Sequence, residues 1–258
     1  LVTASRATAL MYESEFLIVV GLVFVLAGLV KGIVGFGLPT VSLAFLTILI
    51  GLKDAMALIV IPALLTNTCQ ALSGGAFVAS LRRLWPFIVM MFIGVWVGTD
   101  ILVRSNQIII SGILGGLLLL YSGISLFTPQ IPPPGRNEVW LAPSVGGITG
   151  IVTGLIGTFV MPGVLYLQAL GLPRDVLVQA MGVLFGMASI ALGLSLAGQG
   201  VLTLATGSVS MGGVVPAIIG MAMGRWARQQ LSEVHFRRFF FAALFVLGGY
   251  LAGRAFLH

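Results

Sequence analysis

Apolar positions in this chain run in long blocks, separated by short polar or glycine- and proline-rich punctuation. The blocks cover about 16–51, 55–78, 84–103, 108–127, 140–171, 176–197, 201–223 and 239–256. A helix that crosses the hydrocarbon core of a bilayer needs about 20 predominantly apolar residues. Six of the eight blocks fit one such helix each. The blocks 16–51 and 140–171 are too long for one helix and short for two, and each is interrupted near its middle by glycine and proline. The pattern predicts an all-α polytopic membrane protein.

The two exceptional blocks head similar halves. The first contains Lys31-Gly32-Ile33-Val34-Gly35-Phe36-Gly37-Leu38-Pro39, then Gly51-Leu52-Lys53-Asp54. The second contains Thr153-Gly154-Leu155-Ile156-Gly157-Thr158-Phe159-Val160-Met161-Pro162, then Gly171-Leu172-Pro173-Arg174-Asp175. Each is followed by three ordinary apolar blocks, so one signature recurs about 120 residues on. The organisation expected is a tail at 1–15, a first repeat at 16–127, a linker at 128–138 carrying Pro132-Pro133-Pro134, and a second repeat at 139–258, all in one membrane domain.

If each long block is a hairpin that enters and leaves on one side, each half has a hairpin plus three spans. Three is odd, so the halves are inverted. With the arginine-rich loop 225–238 in the cytoplasm, Arg82, Arg83, Arg136, Arg174, Arg225, Arg228, Arg237 and Arg238 fall inside. Arg6, Lys53, Arg104 and Arg254 fall outside, Lys31 lies at a hairpin tip, and both termini face the exterior. A simple eight-span chain with parallel halves satisfies the charge rule slightly less well.

Composition narrows the class further. Of 258 residues 59% are hydrophobic and only 8% charged, against about a quarter charged in a typical soluble domain. The net charge of +6 lies at the ends of apolar blocks, where membrane topology explains it without nucleic acid. The one cysteine, Cys69, allows no disulfide within the chain and reads as a small core residue. Met11 is a plausible start, and the block after it reads as a retained span rather than a signal peptide.

Irregular backbone in the hydrocarbon core must be buried in protein or line a wet cavity. Gly32, Gly35, Gly37 and Pro39 interrupt the first long block, and Gly154, Gly157 and Pro162 the second. Such breaks free amide N–H groups at the positive ends of half-helices, which favours an anion. Paired breaks in matching positions are the best pointer in a sequence to a transporter's binding site; the plainer reading is close helix packing. Lys31 is a charge deep in an apolar block and so a functional candidate, or else a side chain that snorkels to the interface. Thr66, Asn67 and Gln70 share one helix face, and Gln179 follows Asp175 by one turn; these line a cavity or bond between helices. The candidate substrate set is Lys31, Gly32, Gly35, Phe36, Gly37, Pro39, Thr40, Asn67, Gln70, Thr153, Gly154, Gly157, Thr158, Pro162 and Gln179. Asp54 and Asp175 read as helix N-caps or as carboxylates coupled to a proton or sodium gradient; Asp100 is ambiguous. No catalytic residue, metal ligand set or cofactor is expected.

At these residues the chain resembles the TauE/SafE sulfite exporter family, also called TSUP. The resemblance rests on the duplicated glycine and proline segments, the Gly-Leu elements before Asp54 and Asp175, and Gly224-Arg225 at the start of the last basic loop. It implies an inner-membrane transporter of sulfite, thiosulfate, organosulfonates such as sulfoacetate, or other small organic anions. The second repeat departs from the first: Thr158-Phe159 stands for Phe36-Gly37, and one more residue precedes Pro162.

No Walker-type phosphate loop is present, so an ion gradient or the substrate's own gradient must drive transport, expected to proceed by alternating access between the two hairpin tips. The serines of 207–212 would suit an intramembrane protease only with a histidine in reach, and His235 and His258 lie in the basic loop and at the chain end. A transporter or channel for metal ions would need acidic, histidine or cysteine clusters in the spans, which the sequence lacks.

Overall fold

The computed structural model describes residues 14–127, 132–159, 161–228, 230 and 233–256. Among them the chain forms α-helices and one short 3-10 turn, without strands. The first long block divides into α1 (Ser14–Val34) and α2 (Leu38–Ile50), followed by α3 (Leu52–Leu72), α4 (Phe77–Arg104) and α5 (Gln107–Phe127). The 3-10 turn Gly135–Asn137 leads into the second divided block, α6 (Glu138–Ile156) and α7 (Gly163–Ala169). Then come α8 (Arg174–Gly198), α9 (Leu204–Gly212), α10 (Val214–Ala227) and α11 (Glu233–Phe256). Among the described residues, seven stretches are long and apolar enough to cross a membrane: α1, α3, α4, α5, α6, α8, and α9 with α10 together. The tail before residue 14 and the linker residues 128–131 lie outside the described residues.

Both breaks fall on the glycines the sequence singled out. Gly37 has φ +104° and Gly157 φ +73°, in the left-handed region that a Cβ disfavours. Pro39 then opens α2, where a missing N–H costs nothing. The chain folds back at each break. A Cβ on Gly37 would lie 3.4 Å from Val30, and one on Gly163 would lie 3.1 Å from Thr149. The arms are unequal, which the symmetric hairpin expectation did not foresee. The first arms α1 and α6 can cross a bilayer by length. The returning arms α2 and α7 have 13 and 7 residues, about 20 Å and about 10 Å, short of a core about 30 Å thick. The block 201–223 forms one candidate span, as expected, with Gly213 in helical geometry between α9 and α10.

Helices pair across the two halves. α1 packs along α10 in parallel: Gly28 meets Ala217 and Met221, and Gly32 meets Met221 and Gly224. α4 packs along α6, also in parallel, with Gly146 on Phe87, Gly150 on Met91 and Gly154 on Val95. A Cβ at any of these glycines would overlap the partner's backbone, so the seams need them bare. α5 and α11 run antiparallel, as do α3 and α8. Two-thirds of α3 and of α8 is buried, more than of any other candidate span, so this pair is the centre of the bundle.

One polar contact at the centre has a simple cause. Pro62 in α3 has no N–H to bond the Leu58 carbonyl one turn back. The Ser210 hydroxyl of α9 donates to that carbonyl at 2.7 Å, and the Ile61 amide donates to Ser210 Oγ at 3.3 Å. Ser210 thus ties α9 to the gap in the α3 ladder; the side chain of His235, and His258, lie outside the described residues.

Candidate functional site

Lys31 is 2% exposed, near the end of α1 where α1, α3 and α10 meet. Its ammonium donates to Asn67 Oδ1 and to Thr66 Oγ1, the latter at 3.2 Å. It does not snorkel. The Thr66 hydroxyl donates to the Pro62 carbonyl at 2.7 Å, and Asn67 Nδ2 donates to Ser189 Oγ on α8 at 3.3 Å. Each partner is thereby oriented to accept from Lys31.

The other amide side chains hold the breaks. Gln70 Nε2 donates to the Gly35 carbonyl, freed by the helix end, and to the Val178 carbonyl, both at 2.8 Å. Gln179 Nε2 donates to the Ala71 carbonyl at 2.7 Å and accepts from the Ala76 amide at 2.8 Å. The sequence reading offered these amides as donors to an oxyanion. Both Gln70 donors, and one of the two Gln179 donors, are engaged within the protein, where they hold the two helix ends.

The donors that remain are cations. A pocket of about 80 Å³ opens on Lys31, Gly35, Cys69 and Gln70, and Arg225 and Arg228 line it from the end of α10. At about 30 Å³ per water, it has room for two or three waters or one small oxyanion. None of the described residues lining it is acidic. Asp100 pairs with Arg104 and Glu138 with Arg83, in both cases away from this pocket. Cys69 is exposed in the pocket and not a core residue, because its face of α3 borders the cavity. Arg225 and Arg228 belonged in the sequence reading only to a cytoplasmic loop. The seam of Gly28, Gly32, Gly220 and Gly224 holds α10 against α1 and so brings these two arginines beside Lys31.

The second break carries hydroxyls where the first carries a charge. Thr153, in the place of Lys31, donates to the Thr149 carbonyl at 2.7 Å. Thr158 and Thr40 hydroxyls lie 3.2 Å apart, joining the second break to the start of α2. A Cβ on Gly157 would strike Met56 and Leu43, so α2 and α3 crowd this turn. Phe36 and Phe159 are buried beside the two breaks, and Phe159 packs on Phe185 with ring centroids 5.7 Å apart. Gly154 lies in the seam with α4, so it serves packing, and Pro162 precedes the short α7.

Asp54 and Asp175 are not N-caps. Gly51 and Pro173 occupy those positions, and the carboxylates fall within the first helical turn, where a negative charge suits the helix dipole. Asp54 is 13 residues, about 20 Å, along α3 from Asn67, and Asp175 is exposed. Neither adjoins Lys31.

An apolar helix bundle that buries a cation at an interior pocket is a multi-pass membrane protein with a polar site inside it. The chain belongs to the sulfite exporter TauE/SafE family of membrane transporters, whose family model matches residues 20–251. No curated protein and no solved structure matches the chain.

Proposed function

We propose that the protein is a secondary transporter of a small sulfur-containing anion: sulfite, thiosulfate or an organosulfonate such as sulfoacetate. The observation that carries this reading is Lys31, a buried ammonium with neutral acceptors on one side and a pocket lined by Arg225 and Arg228 on the other. A buried charge without a partner is costly in the membrane, and a bound anion would supply the missing charge. The family fits this substrate class.

The halves are read as inverted repeats that work by alternating access, driven by an ion gradient. The exchange of partners supports this: α1 pairs with α10 as α6 pairs with α4, and α3 runs antiparallel to α8 and α5 to α11. In a bacterial inner membrane the basic ends of α4, α6, α8 and α10 would face the cytoplasm, placing both termini outside.

The test is reconstitution of the purified protein in liposomes loaded with sulfite, thiosulfate or sulfoacetate. Saturable anion movement that Lys31→Ala abolishes at normal expression supports the reading. Movement of another organic anion alone, or of a divalent cation, would overturn the substrate class, and no movement of any solute would overturn the function.

A further inference from the structure

The shell around Lys31 matches the amine as well as the ammonium. A neutral lysine amine has two N–H groups; protonation adds a third. The protein offers Nζ two acceptors, Thr66 Oγ1 and Asn67 Oδ1, both oriented by their own hydrogen bonds to accept. Lys31 also lines the pocket that Arg225 and Arg228 border, which is where a third acceptor could come from.

The titratable and charged groups around it are few. α10 and the residue just beyond it bring Arg225 and Arg228, and α3 brings Cys69. α2 contains no titratable side chain, and α8 brings Val178. α11 places Phe240 at Gly37, while the side chains of Arg237 and Arg238 lie outside the described residues. None of these described groups is a carboxylate, so nothing fixed in the protein here balances an ammonium.

We propose that Lys31 is the proton carrier of the transport cycle, taking up one proton as the anion binds and releasing it as the anion leaves. This rests on the reading of Lys31 as the anion site. The amine binds H⁺ on its lone pair, the third N–H so formed donates to the anion, and the pair is neutral for a monovalent substrate. Anion and proton then cross in the same direction, one with the other. By linkage, anion affinity falls as pH rises through the range in which the empty protein loses this proton. The third N–H and the counter-charge are absent from the amine.

Methanesulfonate and thiosulfate are the useful probes, since neither titrates near neutral pH as sulfite does. Calorimetric titration of wild-type protein in two buffers of different ionisation enthalpy, scanned from about pH 6 to about pH 10, reads proton uptake directly. The expected result is uptake rising toward about one proton per anion with pH. In Lys31→Arg, which keeps the cation but does not titrate, whatever anion binding persists takes up no proton. Binding without proton uptake anywhere in the scan overturns the proposal, as does uptake by Lys31→Arg equal to wild type. Absence of all anion binding sinks the transport reading instead, so the two failures are distinct.

Discussion

The Thr40 and Thr158 hydroxyl oxygens lie 3.2 Å apart, although 118 residues separate them in the chain. The contact ties the start of α2 to the turn after α6, so the two breaks meet inside the bundle. If transport requires the breaks to part, a covalent tie there stops it. Cysteines at both positions, in a Cys69→Ser background, should transport under reducing conditions and stop when oxidised. Full transport by the oxidised, crosslinked protein would show that the breaks move as one.

Asn67→Asp places a carboxylate where Lys31 now finds a neutral acceptor. An internal ion pair would then compete with the substrate for the same cation. Anion affinity should drop by at least about tenfold while thermal stability is retained, since a tenfold loss corresponds to about 1.4 kcal/mol. Unchanged affinity, read by calorimetry, would remove Lys31 from the anion's contacts.

Cys69 faces the same pocket, one turn from Lys31's partners on α3. A small anionic thiol reagent should modify it, and thiosulfate should slow that modification. Equal labelling rates with and without saturating thiosulfate would separate the pocket from the substrate site.

Ser210 occupies a carbonyl that Pro62 leaves unbonded. Ser210→Ala strands that buried group, so stability should fall by about 1–3 kcal/mol. Replacing Pro62 with alanine in the same chain should restore much of it, because the helix then bonds Leu58 itself. A thermal melt of the two variants checks both halves of this expectation.

Glycines divide into two kinds by what lies across from them. Gly150→Leu drives a side chain into the Met91 backbone and should abolish folded expression. Gly116 has open space beyond it, so Gly116→Leu should express normally. Fluorescence-detected gel filtration distinguishes the two.

The break positions and the buried lysine were legible because each violates a local rule: glycine and proline within a long apolar block, and a charge within it. Pairing was not, because Gly94 or Gly220 looks in sequence like any other glycine of an apolar helix. Arg225 and Arg228 read as topology signals until α10 was found against α1, which turns the same charges toward Lys31. The roles of Gln70 and Gln179 were hidden for a related reason. An amide's donors can serve a solute or a stray carbonyl, and the freed carbonyls of Gly35 and Ala71 became visible only with the helix ends in place. The expectation that Asp54 and Asp175 cap helices failed because the N-caps of α3 and α8 lie three and two residues earlier, at Gly51 and Pro173.

The seams that join α1 to α10 and α6 to α4 have a consequence for how this polypeptide can be divided. Each bare-glycine stripe finds its complement only on the opposite half, so a fragment ending near residue 130 would leave both surfaces uncovered in lipid. Two such fragments made in one cell should therefore reassociate into a working particle, whereas either made alone should be degraded.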